Sequence, residues 1–175
     1  KAEKKFKDRR VTANLRDRIT NLENELAGLS FLRKAMSAER ADDWQAAQIF
    51  YRKAEENIGI SEESALGKDL AAQILSIEKQ FDQHLGASHR LSSPNVERIV
   101  EQLLKDAVAV INRSRRLKSK FTLLSKELKT YTTEVPVRVK SDKKTFIRVK
   151  GLGIVGKTDN RIIQLRPGRH IFTGE

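Results

Sequence analysis

Cysteine is missing altogether from these 175 residues. No disulfide can form, no thiol can serve as a nucleophile, and zinc sites of the cysteine type are excluded. Aromatic residues are scarce, at 6%. The apolar content is carried by Leu, Ile, Val and Ala, a balance that leans to long helices. No apolar run reaches the roughly 18 residues that a bilayer-spanning helix needs, and no stretch has the pattern of a signal peptide. Histidine is sparse too. His84 and His89 stand across a helix end at a poor metal spacing, and His170 lies in another segment. No hydroxyl, histidine or carboxylate set has a catalytic spacing, so the chain reads as a non-enzyme with no metal and no cofactor. It opens on Lys1 rather than Met and stops just after a strand-like run. That reads as a fragment of a longer protein, whose flanks can carry a membrane anchor.

Acidic residues run short in one part only. Residues 1–110 hold 18 Lys/Arg and 18 Asp/Glu, whereas residues 111–175 hold 17 and 5. The whole net charge of +12 therefore sits in the last third of the chain. Such asymmetry suggests an anionic neighbour, although a charge run is also what an ordinary solvated surface needs. The basic set is Arg113, Arg115, Arg116, Lys118 and Lys120, then Arg138, Lys140, Lys143, Lys144, Arg148 and Lys150.

What the chain does have is helical periodicity. From Val96 the residues Val100, Leu103, Ala107, Val110, Ser114, Leu117, Phe121, Leu124, Leu128 and Tyr131 follow steps of four and three. This is the seam of a helix that winds against a partner. The pattern, with Ser93-Pro94-Asn95 as its start, predicts one helix over 94–131, a rod of roughly 55 Å. Its far half has too few internal partners. Val110, Ser114, Leu117, Phe121, Leu124 and Leu128 are therefore the expected interface with a second copy, with Ser114 as a polar layer setting register.

An earlier helix repeats the pattern through Thr12, Leu15, Ile19, Leu22, Leu26 and Leu29, with Arg9, Arg10, Arg16, Asp17, Arg18, Glu23 and Glu25 off that line. An amphipathic helix packed on its own domain gives the same spacing. Lys1 to Arg10 is basic, as a run beside anionic headgroups would be. Gly28 and Ser30 are expected to loosen the chain near residue 29. Two helical runs then flank a turn at Ala41-Asp42-Asp43, with Asp43 capping the second. Ser61 opens a further helix through Leu85, with Gly86 as a left-handed cap. Gly86 to Asn95 is a loop.

Past Tyr131 the period changes to two, in Val135, Val137 and Val139 and again in Phe146 to Val149. With the turns at Ser141-Asp142-Lys143-Lys144 and Arg166-Pro167-Gly168-Arg169, this predicts about four short strands. Gly151 to Thr158 matches the phosphate-loop pattern letter for letter. A strand and turn follow it instead of a helix, so it reads as a glycine-rich bend.

Two segments carry resemblances. Asp43-Trp44, Ala47, Tyr51 and Ala54 resemble the second half of a tetratricopeptide-repeat unit; Phe31 and Ala35 fit the first half, and Lys34 stands where Leu is usual. No second copy follows at the repeat length, so one hairpin is implied rather than a peptide-binding array, with Trp44 and Tyr51 as packing residues. Glu134 to Glu175 resembles a PEGA-type domain in its opening VPVRVKSD, the run TFIRVKG, the Gly156 bend and the closing LRPGRH. Asp142-Lys143-Lys144-Thr145 stands where that family has its Pro-Glu-Gly-Ala signature. The chain stops before the strand that completes the family's sheet. The resemblance implies a small, non-enzymatic β-sandwich module of the bacterial cell envelope.

The expected architecture is α+β. It has a coiled-coil helix at 1–29, a hairpin and third helix at 30–93, the long helix at 94–131, and a small antiparallel β-sandwich-like domain at 132–175. The expected function is a non-enzymatic oligomeric scaffold, membrane- or envelope-associated with the periplasmic side favoured. Its partners would be a second copy and a protein or anionic polymer that meets Arg113, Arg115, Arg116, Lys118, Lys120, Arg138, Lys140, Arg148 and Lys150. The alternative is a dimeric nucleic-acid-binding protein using the same cations. Stacking aromatics for that role are few, since Phe121 lies on the seam and Phe146 in a strand.

Overall fold

Two adjacent aspartates each start a helix, which is how the chain turns its first corner. In the computed structural model, which describes residues 2–175 and their side chains from Thr12 on, helix α1 runs Ala2–Arg40 and α2 runs Trp44–Ile58. Asp43 caps α2, its Oδ1 accepting the Ala46 N–H at 3.0 Å. Asp42 makes the turn itself, at a φ of 62° that Asp tolerates better than most residues. The side chains of the basic run Lys1 to Arg10 lie outside the described residues.

The fold is α+β, helices first and small antiparallel sheets last. After α2 come α3 (Glu62–Leu85), α4 (Pro94–Ala107), α5 (Arg115–Thr132) and strands β1 (Val135–Lys140), β2 (Phe146–Val149), β3 (Gly153–Lys157), β4 (Asn160–Leu165) and β5 (Phe172–Gly174). The chain divides into two units. One comprises residues 1–76 with 113–116, the other 77–112 with 117–175.

In the first unit α1 and α2 form the expected hairpin, but α1 passes straight through Gly28 to Arg40. Gly28 is a contact and not a break: a Cβ there would stand 2.4 Å from Ile58 Cγ2. Leu32, Ala35, Ala38, Ala47, Tyr51 and Ala54 make the hairpin core, and the small residues let the helices approach. Trp44 is buried as well. Ser61 and Ser64 cap α3 reciprocally, each hydroxyl accepting the other's N–H at 3.1 Å. This is a capping box with serine at its second position.

The long helix expected over 94–131 is interrupted, and its residues 113–116 belong to the first unit. Helix α4 stops at Ala107, a 3-10 turn spans Ile111–Arg113, and α5 begins at Arg115. Val108, Val110 and Ile111 are β-branched and favour helix weakly, and Ser114 suits a helix start. The buried positions nevertheless keep their three-and-four spacing across the break, at Val100, Leu103, Ala107, Val110, Ser114, Leu117, Leu124 and Leu128, with half-buried Phe121 filling the step between Leu117 and Leu124. Helix α3 ends at Leu85 as expected, yet Gly86 is not left-handed; its N–H reaches Asp82 O at 2.8 Å. The loop beyond holds a 3-10 turn that buries Leu91.

Among the described residues the strands number five, against about four expected. They form two antiparallel sheets, β1-β4 and β3-β2-β5. Val139 from β1, Ile147 and Val149 from β2, and Val155 from β3 share one core, with Ile163 against it. The GLGIVGKT run supplies the β2–β3 turn and β3 itself, and strand β4 follows it.

Candidate functional site

The seam residues expected to face a second copy are covered within the chain. Val110, Ser114, Leu117, Leu124 and Leu128 are all buried in the single molecule. Phe121 is half-buried, its ring 6.3 Å from that of Phe81 on α3. That expectation is corrected: the seam's periodicity was real, but the helices that cover it belong to the same molecule.

Ser114 has a different use from the register layer expected of it. Asp42 accepts the Arg116 N–H at 2.9 Å and the Trp44 indole N–H at 2.7 Å, and it pairs with the Ser114 hydroxyl. The carboxylate thus caps the start of α5 from a turn 74 residues earlier. Burial pushes the Asp42 carboxyl up; the hydrogen bonds from Ser114, Arg116 and Trp44, with the Arg116 charge, outweigh it and hold the group below its ordinary value. The Ala-Asp-Asp turn was legible as a helix start, but nothing local in the sequence shows that one of its aspartates caps a second helix.

The apolar line left uncovered is the one on α1. Leu15 is 50% exposed, Ile19 54%, Leu22 57%, Leu26 69% and Leu29 50%. Every residue from Thr12 to Leu26 is exposed, so among the described residues no helix covers this part of α1. Arg16, Arg18, Glu23 and Glu25 flank the line.

The basic residues are distributed over both units. Lys120 is consumed internally, with Nζ 2.9 Å from Glu78 Oε1 and 2.7 Å from Asp82 Oδ1. Burial lowers its pKa, but the hydrogen bonds and charges of Asp82 and Glu78 prevail and raise it. Its place in an anion-binding set is corrected on that ground. Arg113, Arg115, Arg116 and Lys118 are exposed. In the β region Arg138 and Lys140 lie on the side of β1 opposite Val139. Arg148 lies on the side of β2 opposite Ile147 and Val149, over the Phe146 ring at 5.4 Å. Because Val139, Ile147 and Val149 share the core, these cations point away from it on separate sheets. Lys150 is exposed in the turn after β2.

Between edge strands β1 and β5 lies an open cavity of about 440 Å³, lined by Val137 to Ser141, Thr145, Ile147 and Phe172 to Gly174. The turn after β1 is held by Asp142, which accepts the Lys144 and Thr145 N–H groups at 2.9 and 2.8 Å and the Thr145 hydroxyl at 3.1 Å. Those bonds, the Thr145 N–H first, bring its carboxyl down to about 2.

Among the described residues no group of three or more His, Cys, Asp or Glu side chains stands close enough to hold a metal ion. No helix searched is long and apolar enough to cross a membrane. Comparison with protein families, curated proteins and solved structures finds no significant match.

Proposed function

We propose that this chain is a non-enzymatic scaffold that self-associates through α1 and carries a small basic β domain for a protein or anionic partner. The observation that supports it is the uncovered line Leu15, Ile19, Leu22, Leu26 and Leu29. Scattered apolar residues are ordinary on a surface, but an ordered line of them is not. Most helix stability in proteins comes from packing of an amphipathic face, so a second helix laid on the line stabilises both. Covering the half of each side chain still exposed contributes about 1 kcal/mol per residue.

The setting is a bacterial membrane or envelope, with the periplasmic side favoured. That part rests on the PEGA-type resemblance of residues 134–175. A nucleic-acid-binding dimer has less support, because Lys120 is spent in ion pairs and the β-domain cations point from separate sheets.

The test is the mass in solution by light scattering across a concentration series. The expected result is a multiple of the 19.9 kDa chain that reverts to one copy on Leu22→Glu with Leu26→Glu. A chain that stays a single copy at high concentration sinks the reading. Nucleic-acid binding that persists at physiological salt and is lost on Arg115→Glu with Arg116→Glu would replace it with the alternative.

A further inference from the structure

The charges that flank the uncovered α1 line are unequal along its length. With Leu15, Leu22 and Leu29 at one core position of the heptad and Ile19 and Leu26 at the other, Arg16 and Glu23 occupy one flank and Arg18 and Glu25 the other. Both arginines therefore lie in the first half of the line and both glutamates in the second. None of the four has an opposite charge three or four residues away in its own helix, the only spacing at which same-helix side chains meet. Arg16 has Ala13, Thr12, Ile19 and Thr20 at those places. Arg18 has Leu15, Asn14, Asn21 and Leu22. Glu23 has Thr20, Ile19, Leu26 and Ala27, and Glu25 has Leu22, Asn21, Gly28 and Leu29. All four are exposed.

We propose that a second copy of this chain docks on α1 in the antiparallel direction, with Arg16 against the partner's Glu23 and Arg18 against the partner's Glu25. The inference rests on the self-association reading and adds its direction and register. In an antiparallel pair, like flanks of the two helices face each other and flanking charges select orientation. Stacking Leu15 on the second copy's Leu26, Ile19 on its Leu22 and Thr12 on its Leu29 brings all four charges of each chain opposite a charge of the other sign, making four ion pairs. A parallel, in-register pair matches only Arg18 with the second copy's Glu23, twice, and leaves Arg16 and Glu25 without charged counterparts. The helix dipoles also oppose one another in the antiparallel arrangement. Five large side chains from each copy bury on the order of 1,000 Å², the lower bound of a specific interface, so the pair is a reversible one.

The absence of native cysteine makes the direction directly readable. Thr12→Cys and Leu29→Cys are made separately in the full chain, and disulfide formation under mild oxidation is followed on gels. The expected result is little covalent dimer from either variant alone and abundant covalent dimer after the two are mixed and allowed to exchange. Covalent dimer from each variant alone, with no gain on mixing, would mean a parallel pair; the direction then fails and the scaffold reading stands. No cross-link in any arm from a chain that scatters as a dimer places the association elsewhere and overturns the α1 site. A chain that scatters as one copy overturns both proposals.

A charge arm covers variants that perturb the core line. Arg16→Glu with Arg18→Glu, and separately Glu23→Arg with Glu25→Arg, should each weaken association more than tenfold at low salt with helix content kept. An equimolar mixture of the two should restore it. Unchanged association in both variants would remove the charge argument.

Discussion

Arg166 reaches from the turn after β4 to Glu97 in the first turn of α4, with Nη1 2.6 Å from Oε2. The same nitrogen donates to Ser92 O at 3.3 Å, and the Arg166 carbonyl meets His170 Nε2 at 2.7 Å. The LRPGRH segment is thus tied to the helix start within its own unit. The carboxylate also lies where the α4 dipole favours negative charge. Arg166→Ala should lower stability by about 1 kcal/mol, since the pair is partly exposed. It should also speed hydrogen exchange across residues 166–170. Exchange unchanged from the parent chain would show that the contact does not hold the turn.

Asp42 answers three donors at once, so its removal leaves all three without their acceptor. Asp42→Ala should cost about 2–4 kcal/mol in denaturant unfolding. Asp42→Asn keeps the left-handed turn, but its amide would meet donors with a donor, and it should fall between Ala and the parent. A loss below about 0.5 kcal/mol for Ala would show that the helix start at Arg115 does not depend on this carboxylate.

Gly67 lies in α3, and a Cβ there would stand 2.2 Å from Tyr51 Cζ. Tyr51 cannot easily retreat. It is buried, and its hydroxyl donates to Glu39 Oε1 at 2.8 Å. Burial and then that carboxylate push the phenol well above its ordinary value. Helix propensity alone favours Gly67→Ala by roughly 1 kcal/mol. The clash should reverse the sign and lower the melting temperature, and a raised one would show that α2 and α3 can part at no cost.

Asp42 and Asp142 are both held below the ordinary aspartate value, Asp142 at about 2. A carboxyl with a depressed folded pKa stabilises the fold fully above its unfolded value, near 3.9. The contribution is lost as pH falls through the folded value. The contribution of these two carboxyls should therefore be flat from neutral pH to about 5 and be lost below about 4. Asp142→Asn should remove the part of the acid transition near pH 2, and in the parent chain the Asp142 carboxyl resonance should titrate near 2. An Asp142 resonance that titrates near 4 would show the turn bonds to be weak in solution.

Most helix and strand segments, and which side of each is apolar, were legible in the sequence, because period, caps and turn residues are local properties; the break between Ala107 and Arg115 and the run of α1 through Gly28 were not. The burial spacing from Val100 to Leu128 needed no knowledge of the fold. Asp43 as a helix cap and the hairpin packing of Trp44, Ala47, Tyr51 and Ala54 were equally readable. Tertiary structure alone decided what covers each apolar side. Two lines had the same three-and-four spacing; the chain's own helices cover the later one and leave Leu15 to Leu29 open. Gly28 looked like a break until Ile58 stood beside it, and Lys120 looked like a free cation until Glu78 and Asp82 met it. Apolar spacing along a helix specifies that a partner is needed. Which helix supplies it depends on chain segments far away in sequence, where no local pattern reports.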